Sequence, residues 1–220
     1  MGLDEPADAL HAGFADISVA WGRMHRCAPE AALNFFTMTD YRPVADSRTV
    51  LTELMIPAYA NFGGKVHGGI ILSLMDKVAY VCASKHARTY CVTASVDNVD
   101  FRSPVEVGDM VSLFASVNYT GRSSMEVGIR TEAHNIRSGT IKHTNTSYFT
   151  MVALGEDGRP SSVPGLILQS ETDVRRFLEA MERRRLARDH REAIRDIKTL
   201  LLDDERLAGE KCRIAIDQVQ

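Results

Sequence analysis

The sequence has no apolar run approaching the ~18 residues that a membrane-spanning helix requires. Its net charge is only −3, so composition gives no reason to expect nucleic acid or an anionic membrane surface as a partner. The N-terminal stretch, MGLDEPADAL, is acidic and lacks the charged-then-apolar pattern of a secretory signal. The four cysteines include no CxxC pair, which favours reduced thiols and a cytoplasmic location. What is present is the composition of an ordinary globular protein, 45% hydrophobic and 25% charged.

Three parts can be distinguished along the 220 residues, a length that suits one domain with appendages. Residues 1–45 hold an apolar-rich segment, ALHAGFADISVAWGRM, and then a polar stretch, which predicts one or two helices and a linker without an evident role. Residues 46–155 are dense in strand patterns around a single helix. Residues 156–220 are predicted to form a helical, arginine-rich C-terminal extension.

The middle part predicts one long helix combined with an antiparallel sheet. A strand, SRTVLTELMI, precedes a nearly all-apolar, buried helix that runs from His67 or Gly68 to His86. Four strands follow, with alternation such as that of Val111 and Leu113, and RSPVEVGD is interpreted as a turn between the first two. Because short turns join antiparallel neighbours, the pattern predicts an α+β fold in which a curved antiparallel sheet wraps a long central helix.

Arginines dominate the C-terminal extension. Seven of them fall between residues 175 and 191, against Glu179, Glu182 and Asp189. One interpretation is a solvated helical face. The other is contact with phosphate groups, since the planar fork of arginine suits phosphate oxygens.

Two adjacent glycines, Gly68 and Gly69, lie where the long helix begins. A helix N-terminus has unpaired backbone N–H groups and a partial positive charge. Without a β-carbon there, an anion or a carbonyl oxygen can reach these donors, as in an oxyanion hole. The alternative is that the glycines only permit a tight turn and close packing.

Asp76 is the one carboxylate in the apolar part of this helix. It shares a face with Leu72, Ala79 and Ala83 and lies ~10 Å along the axis from Gly69. Desolvation beside apolar side chains makes a carboxylate a better proton acceptor, so Asp76 is a candidate general base. The alternative is an aspartate on a solvent-facing helix edge.

Asn61 and His67 precede the helix. Asn61 offers both a hydrogen-bond donor and an acceptor, although a loop asparagine is most often a turn residue. His67 is a candidate acid–base group, with capping or packing at the helix start as the alternative.

Three segments resemble the hotdog-fold acyl-CoA thioesterases. They are NFGGKVHGGIILSLMDKVA, TASVDNVDFRSPVEVGD and YTGRSSMEVGIRTEA, and they cover about residues 50–155 in the family's order and spacing. The similarity is to the acyl-CoA hydrolase branch that includes the cytosolic brain-type enzyme and single-domain bacterial relatives. It implies the hotdog fold, a central helix inside an antiparallel sheet, and hydrolysis of acyl-CoA to a free acid and CoA.

The resemblance also implies an active site. Asn61 and Asp76 would be the catalytic pair, one from each protomer of a homodimer, and the backbone of Gly68 and Gly69 after His67 would polarise the thioester carbonyl. A trimer of such dimers would be a hexamer. No metal or separate cofactor is expected, because CoA is itself part of the substrate, and neither nucleic acid nor a membrane is an expected partner.

A second region implied by the resemblance would contact the nucleotide part of CoA. It is the turn formed by Gly121, Arg122, Ser123, Ser124 and Met125.

Several choices stay open at the level of sequence. Asp76 could activate water or attack the thioester itself. A hotdog hydratase or dehydratase would use His67 with an acid, and a non-catalytic acyl-CoA sensor would bind its ligand intact. Acyl chain length, the role of the C-terminal arginines and regulation by nucleotides do not follow from the sequence.

Overall fold

The computed structural model describes residues 40–197, so the predictions for residues 1–39 and for the chain beyond 197 lie outside the described part. The compact unit that holds all the described strands begins at Tyr41. In chain order the elements are β1 (Tyr41–Pro43), α1 (Val44–Ser47), β2 (Thr49–Leu54), α2 (Gly68–Ala87), β3 (Tyr90–Val96), β4 (Asp109–Thr120), β5 (Ser124–Asn135), β6 (Ile141–Leu154), β7 (Gly165–Ile167) and α3 (Glu171–Ile197).

The main sheet has five antiparallel strands in the order β2-β4-β5-β6-β3, and it packs against α2. This is the α+β hotdog arrangement that the sequence patterns and the resemblance predict. Alternation along each strand directs apolar side chains towards α2, which buries one continuous core. Its fully buried members include Met75, Val78 and Cys82 of the helix and Leu113, Val127, Ile129, Phe149 and Met151 of the sheet.

The expectation that β3 and β4 are joined by a tight turn is wrong. Residues 97–108 connect them, β3 pairs with β6 in the register Tyr90↔Leu154, and β4 pairs with β2 and β5. The connection runs along β6, since the amide of Asp97 donates to the Tyr148 carbonyl and that of Arg102 to the Thr144 carbonyl, both at 3.0 Å. Strand patterns alone predict strands but not their pairing order, and a connection of this length can reach a distant neighbour.

The expectation that α2 is buried all round is also wrong for the single chain. Its inner face is in the core, but Leu72, Asp76, Tyr80 and Val81 are exposed on the opposite side. The apolar run therefore covers two faces, one in contact with the sheet and one left open.

The arginine-rich helix α3 lies on the outer face of the sheet. Arg183 donates to Glu126 of β5 at 2.6 Å, and its guanidinium lies 3.5 Å from the ring centroid of Tyr148 of β6. Phe177 stacks on Tyr119 of β4 with ring centroids 5.4 Å apart. Glu126 is thereby almost fully buried although it points away from the core.

Five of the seven arginines between residues 175 and 191 contact other protein groups, three of them on the sheet and two within α3 itself. They are Arg175, Arg176, Arg183, Arg184 and Arg185.

No helix within residues 40–197 is long and apolar enough to span a membrane.

Candidate active site

The start of α2 is held in place by the backbone on both sides. The amide of Val66 donates to the Val105 carbonyl at 3.0 Å, and the amide of His67 donates to the Tyr59 carbonyl at 2.8 Å. The hairpin before the helix and the connection after β3 therefore meet at the helix N-terminus.

His67 caps this helix. Its Nδ1 atom accepts a 2.9 Å hydrogen bond from the amide of Gly69. Capping, the alternative to acid–base chemistry, is thus what the structure shows for this ring. The Gly69 amide, expected to face a substrate carbonyl, is occupied by His67, whereas the amide of Gly68, the first in the helix, has no acceptor within it.

Each of the two glycines lies against a ring. A β-carbon on Gly68 would be 3.4 Å from the Cε2 and Cζ atoms of Phe101, and one on Gly69 would be 3.0 Å from Nδ1 of His67. Neither glycine has a left-handed backbone, so their role is to leave space rather than to provide an unusual conformation. Phe101 belongs to the TASVDNVDF segment, and the sequence analysis assigned it no function.

Asp76 lies on the exposed face of α2. In the single chain it is therefore an aspartate on a solvent-facing helix edge, the alternative to the predicted desolvation beside apolar side chains. Its carboxylate accepts a 2.6 Å hydrogen bond from the hydroxyl of Thr93. Thr93 is on β3, the last strand of the sheet, at a shift in its pairing with β6. Thr93 is not among the site residues predicted from the sequence, although it stands in the second segment that carries the resemblance.

Asn61 begins a tight hairpin. Its Oδ1 accepts from the amides of Gly63 at 2.9 Å and Lys65 at 3.1 Å, and its own amide donates to the Lys65 carbonyl at 2.7 Å. Gly64, with φ of +76°, supplies the left-handed residue that the turn requires. Asn61 is therefore a turn residue, as loop asparagines most often are, and its side-chain NH₂ is still available as a hydrogen-bond donor. Within residues 40–197 the Asn61 and Asp76 side chains share no hydrogen bond.

The turn predicted to bind CoA connects β4 to β5. The amide of Gly121 donates to the Ser124 carbonyl at 2.7 Å, and Arg122 at its tip is exposed. The carbonyls of Arg122 and Ser123 accept from neighbouring strands and loops, which fixes the backbone. Met125 differs from the other four residues because its side chain is fully buried in the core, so it is not accessible from the turn.

Comparison with known proteins agrees with this architecture. A family model described as Thioesterase superfamily matches residues 63–140. YkhA of Bacillus subtilis, named as an uncharacterised acyl-CoA thioester hydrolase, is 33% identical over 138 residues, covering 63% of this chain and 80% of that protein.

Solved structures extend the similarity. A hexameric acyl-CoA thioesterase in its apo form is 40% identical, with a TM-score of 0.66 and coverage of 70% of this chain and 97% of that one. The acyl-CoA hydrolase of Staphylococcus aureus, in complex with butyryl-CoA, CoA and CoA disulfide, is 29% identical, with a TM-score of 0.64 and coverage of 73% and 99%. Mutant structures of the S. aureus protein carry alanine in place of an aspartate, a threonine or an asparagine.

The chain belongs to the hotdog-fold acyl-CoA thioesterases. It is an acyl-CoA thioester hydrolase, as the three segments predict. No observation favours the hydratase or the sensor. The hydrogen bond from the Gly69 amide to Nδ1 of His67 gives that ring a capping role.

Proposed function

We propose that Asp76, oriented by Thr93, activates the group that attacks the acyl-CoA thioester, and that Asn61 of a second protomer completes the site. The observation that carries this proposal is the 2.6 Å bond from the Thr93 hydroxyl to the Asp76 carboxylate. A charge-assisted bond of this length fixes one carboxylate oxygen and leaves the other for a proton or a carbonyl carbon.

The proposed reaction begins with the thioester carbonyl near the start of α2 of the protomer that supplies Asn61, because Gly68 and Asp76 of one protomer lie ~12 Å apart along the helix axis. The amide of Gly68 and the helix dipole stabilise the oxyanion, while the amide of Gly69 holds the His67 ring aside. Asp76 accepts a proton from water as the water oxygen bonds to the carbonyl carbon. The tetrahedral intermediate then expels CoA by breaking the C–S bond, and the sulfur takes the proton back from Asp76. No metal or separate cofactor enters these steps.

The alternative step is direct attack by the Asp76 carboxylate, which forms an anhydride that water then opens. Single-turnover hydrolysis in ¹⁸O-labelled water tests the nucleophilic route. Label in the peptide that contains Asp76 shows an anhydride that water opened at the aspartyl carbon, whereas a general base, like opening of the anhydride at the acyl carbon, places the label in the fatty acid alone.

The spacing of the three side chains supports their roles. In the S. aureus hydrolase the substituted asparagine and aspartate are 15 positions apart, and the aspartate and threonine 17. Asn61, Asp76 and Thr93 have the same two separations. The two proteins thus share three residue types at the same two spacings, which supports the same arrangement of these side chains in both.

We also propose that the site is shared across a homodimer, three of which form a hexamer. Asn61 and Asp76 share no hydrogen bond within residues 40–197, while the outer face of α2 and strand β3 beside Thr93 are exposed. Hexamers are described for similar thioesterases. A two-fold axis beside α2 would bring the Asn61 hairpin of one protomer to Asp76 of the other.

The turn from Gly121 to Ser124 is proposed to contact the CoA nucleotide. Arg122 supplies an exposed guanidinium for phosphate, and the two serines supply hydroxyls. Met125 is left out because it is buried. A cytoplasmic location remains the expectation from the reduced cysteines, of which Cys82 and Cys91 are buried free thiols.

The first experiment measures thiol release from acyl-CoAs of increasing chain length by the wild type, Asp76→Asn and Asn61→Ala. We expect both variants to lose activity while keeping the wild-type oligomer. A wild type that releases no thiol from any acyl-CoA would contradict the proposal.

Subunit mixing tests the shared site. Asn61→Ala and Asp76→Ala proteins, each inactive alone, are co-refolded or co-expressed. If each site takes one residue from each protomer, random dimers regain about a quarter of wild-type activity, because half are hybrids with one intact site. If both residues act within one protomer, the mixture stays inactive.

A further inference from the structure

We infer that Phe101 forms the wall of the acyl site beside the thioester and determines selectivity for the first carbons of the acyl chain; this rests on the proposed function. The sequence analysis gave Phe101 no role. Apart from the chain neighbours of Gly68, its ring is nevertheless the side chain nearest to the point where a β-carbon of Gly68 would lie, and the Gly68 amide is the one proposed to polarise the carbonyl.

The position of the ring supports this inference. Two atoms of Phe101 lie 3.4 Å from the point where Gly68 would carry a β-carbon, and apart from the chain neighbours of Gly68 no other side chain in residues 40–197 comes within 4 Å of that point. A carbonyl oxygen bound by the Gly68 amide therefore has its acyl carbons within reach of this ring. The ring is too near the helix start to meet only the distal end of a long chain.

The backbone around Phe101 also holds the ring in place. The amide of Arg102, the next residue, donates to the Thr144 carbonyl of β6 at 3.0 Å. Further along, Val105 accepts from Val66, and Glu106 pairs with Lys65 at 2.6 Å. The segment is thus tied both to the sheet and to the hairpin that carries Asn61, which holds Phe101 beside the start of α2.

The surface of the ring also suits an acyl chain. Phe101 is 47% exposed, so it presents apolar area outside the core. Its sequence neighbours Asp100 and Arg102 are exposed and charged. One apolar ring among polar groups at the mouth of the site suits a ligand with a polar thioester followed by methylene groups, since each buried methylene adds a favourable increment to binding.

The test compares wild type, Phe101→Ala and Phe101→Leu, with kcat and KM measured separately on acetyl-, butyryl-, hexanoyl- and palmitoyl-CoA. We expect Phe101→Ala to lower kcat/KM about tenfold for butyryl-CoA and all longer chains, chiefly through KM. The kcat/KM for acetyl-CoA should change little, because the acetyl group has no methylene that could contact Phe101. The kcat/KM of the leucine variant for these longer chains should lie between those of the wild type and the alanine variant. The leucine variant also provides the test if the alanine variant does not fold.

The matched control is Phe114→Ala. Phe114 is 41% exposed but lies on the outer face of β4, opposite Arg130 of β5. It should leave the chain-length profile unchanged. Competitive inhibition by free CoA should be equal in all the proteins, since Phe101 is proposed to contact only the acyl part.

The outcomes separate the two proposals. A step between acetyl- and butyryl-CoA in the Phe101 variants alone supports the inference. A profile that is unchanged, or lowered equally for acetyl-CoA and for CoA binding, overturns it while thiol release by the wild type still upholds the hydrolase. Absence of thiol release by the wild type overturns the proposed function itself.

Discussion

The hydroxyl of Thr93 donates a 2.6 Å hydrogen bond to the carboxylate of Asp76, and this bond joins the end strand of the sheet to the exposed face of the central helix. The aspartate is therefore oriented by a partner 17 positions away in sequence rather than by burial. If Thr93 orients Asp76, its substitution should lower the catalytic rate rather than the stability of the fold.

Replacing Thr93 by valine keeps its shape but removes the donor. We expect kcat to fall about 10- to 100-fold, the loss typical of a hydrogen bond to a charged group, with KM little changed. Thr93→Ser, which restores the hydroxyl, should recover most of the activity. Full activity in the valine variant would show that Asp76 needs no such partner.

His67 offers a direct choice between capping and acid–base chemistry. His67→Ala should destabilise the protein by about 1 kcal/mol, because the Gly69 amide loses its acceptor. His67→Asn should restore stability, since asparagine is a strong N-cap, and should retain activity if the ring only caps. Thermal unfolding and thiol release are measured on both; an inactive but stable asparagine variant would instead assign His67 to the chemistry.

Arg183 should matter for stability through Glu126. Glu126 is 3% exposed, so Arg183→Met leaves a buried carboxylate without its partner and should lower the free energy of unfolding by about 3 kcal/mol. Arg185→Met is the control on the same helix. Its partners Glu182 and Asp189 are exposed, and loss of a surface ion pair should change little in urea unfolding. Equal effects of the two variants would contradict this assignment.

His86 should make the protein less stable in mild acid. Burial lowers the pKa of His86 below 6.5, although the carbonyl of Pro164, 3.0 Å from its Nε2, acts in the opposite direction. The unfolded chain therefore binds a proton at His86 more readily than the folded one, so stability falls as the pH drops below 6.5 and continues to fall until the folded-state pKa is passed.

The measurement for His86 is urea unfolding between pH 7.5 and pH 5. His86→Gln should show a shallower loss of stability towards acid than the wild type. His190→Gln, at an exposed position of α3, should keep the wild-type slope. A glutamine variant at 86 with an unchanged slope would assign the acid sensitivity to other groups.

Local sequence determined the elements. The helix predicted from His67 or Gly68 to His86 is observed as Gly68–Ala87, because its apolar run is longer than a strand and His67 caps its start. The strands of the hairpins β4–β5 and β5–β6 were likewise predicted from their alternation and turn residues, but the register shift within each pair was not. The short pair β1 and β7 was missed, because three residues carry too little pattern.

The candidate site was only partly readable from the sequence. The resemblance identified Asp76, Asn61 and the two glycines by type and spacing. It did not indicate that His67 occupies the Gly69 amide, and it did not single out Thr93. These are contacts between side chains and backbone whose geometry a linear pattern does not contain.

Sequence by itself therefore determined the long helix, the strands of the main sheet, the family and the residue types available for chemistry. Tertiary structure alone decided that β3 pairs with β6, that Thr93 meets Asp76, and that Phe101 lies against Gly68. The physical reason is that each of these contacts joins residues far apart in the sequence. Such contacts depend on where the whole sheet places its strands, as do the hydrogen bonds that direct residues 97–108 along β6, rather than on any local propensity.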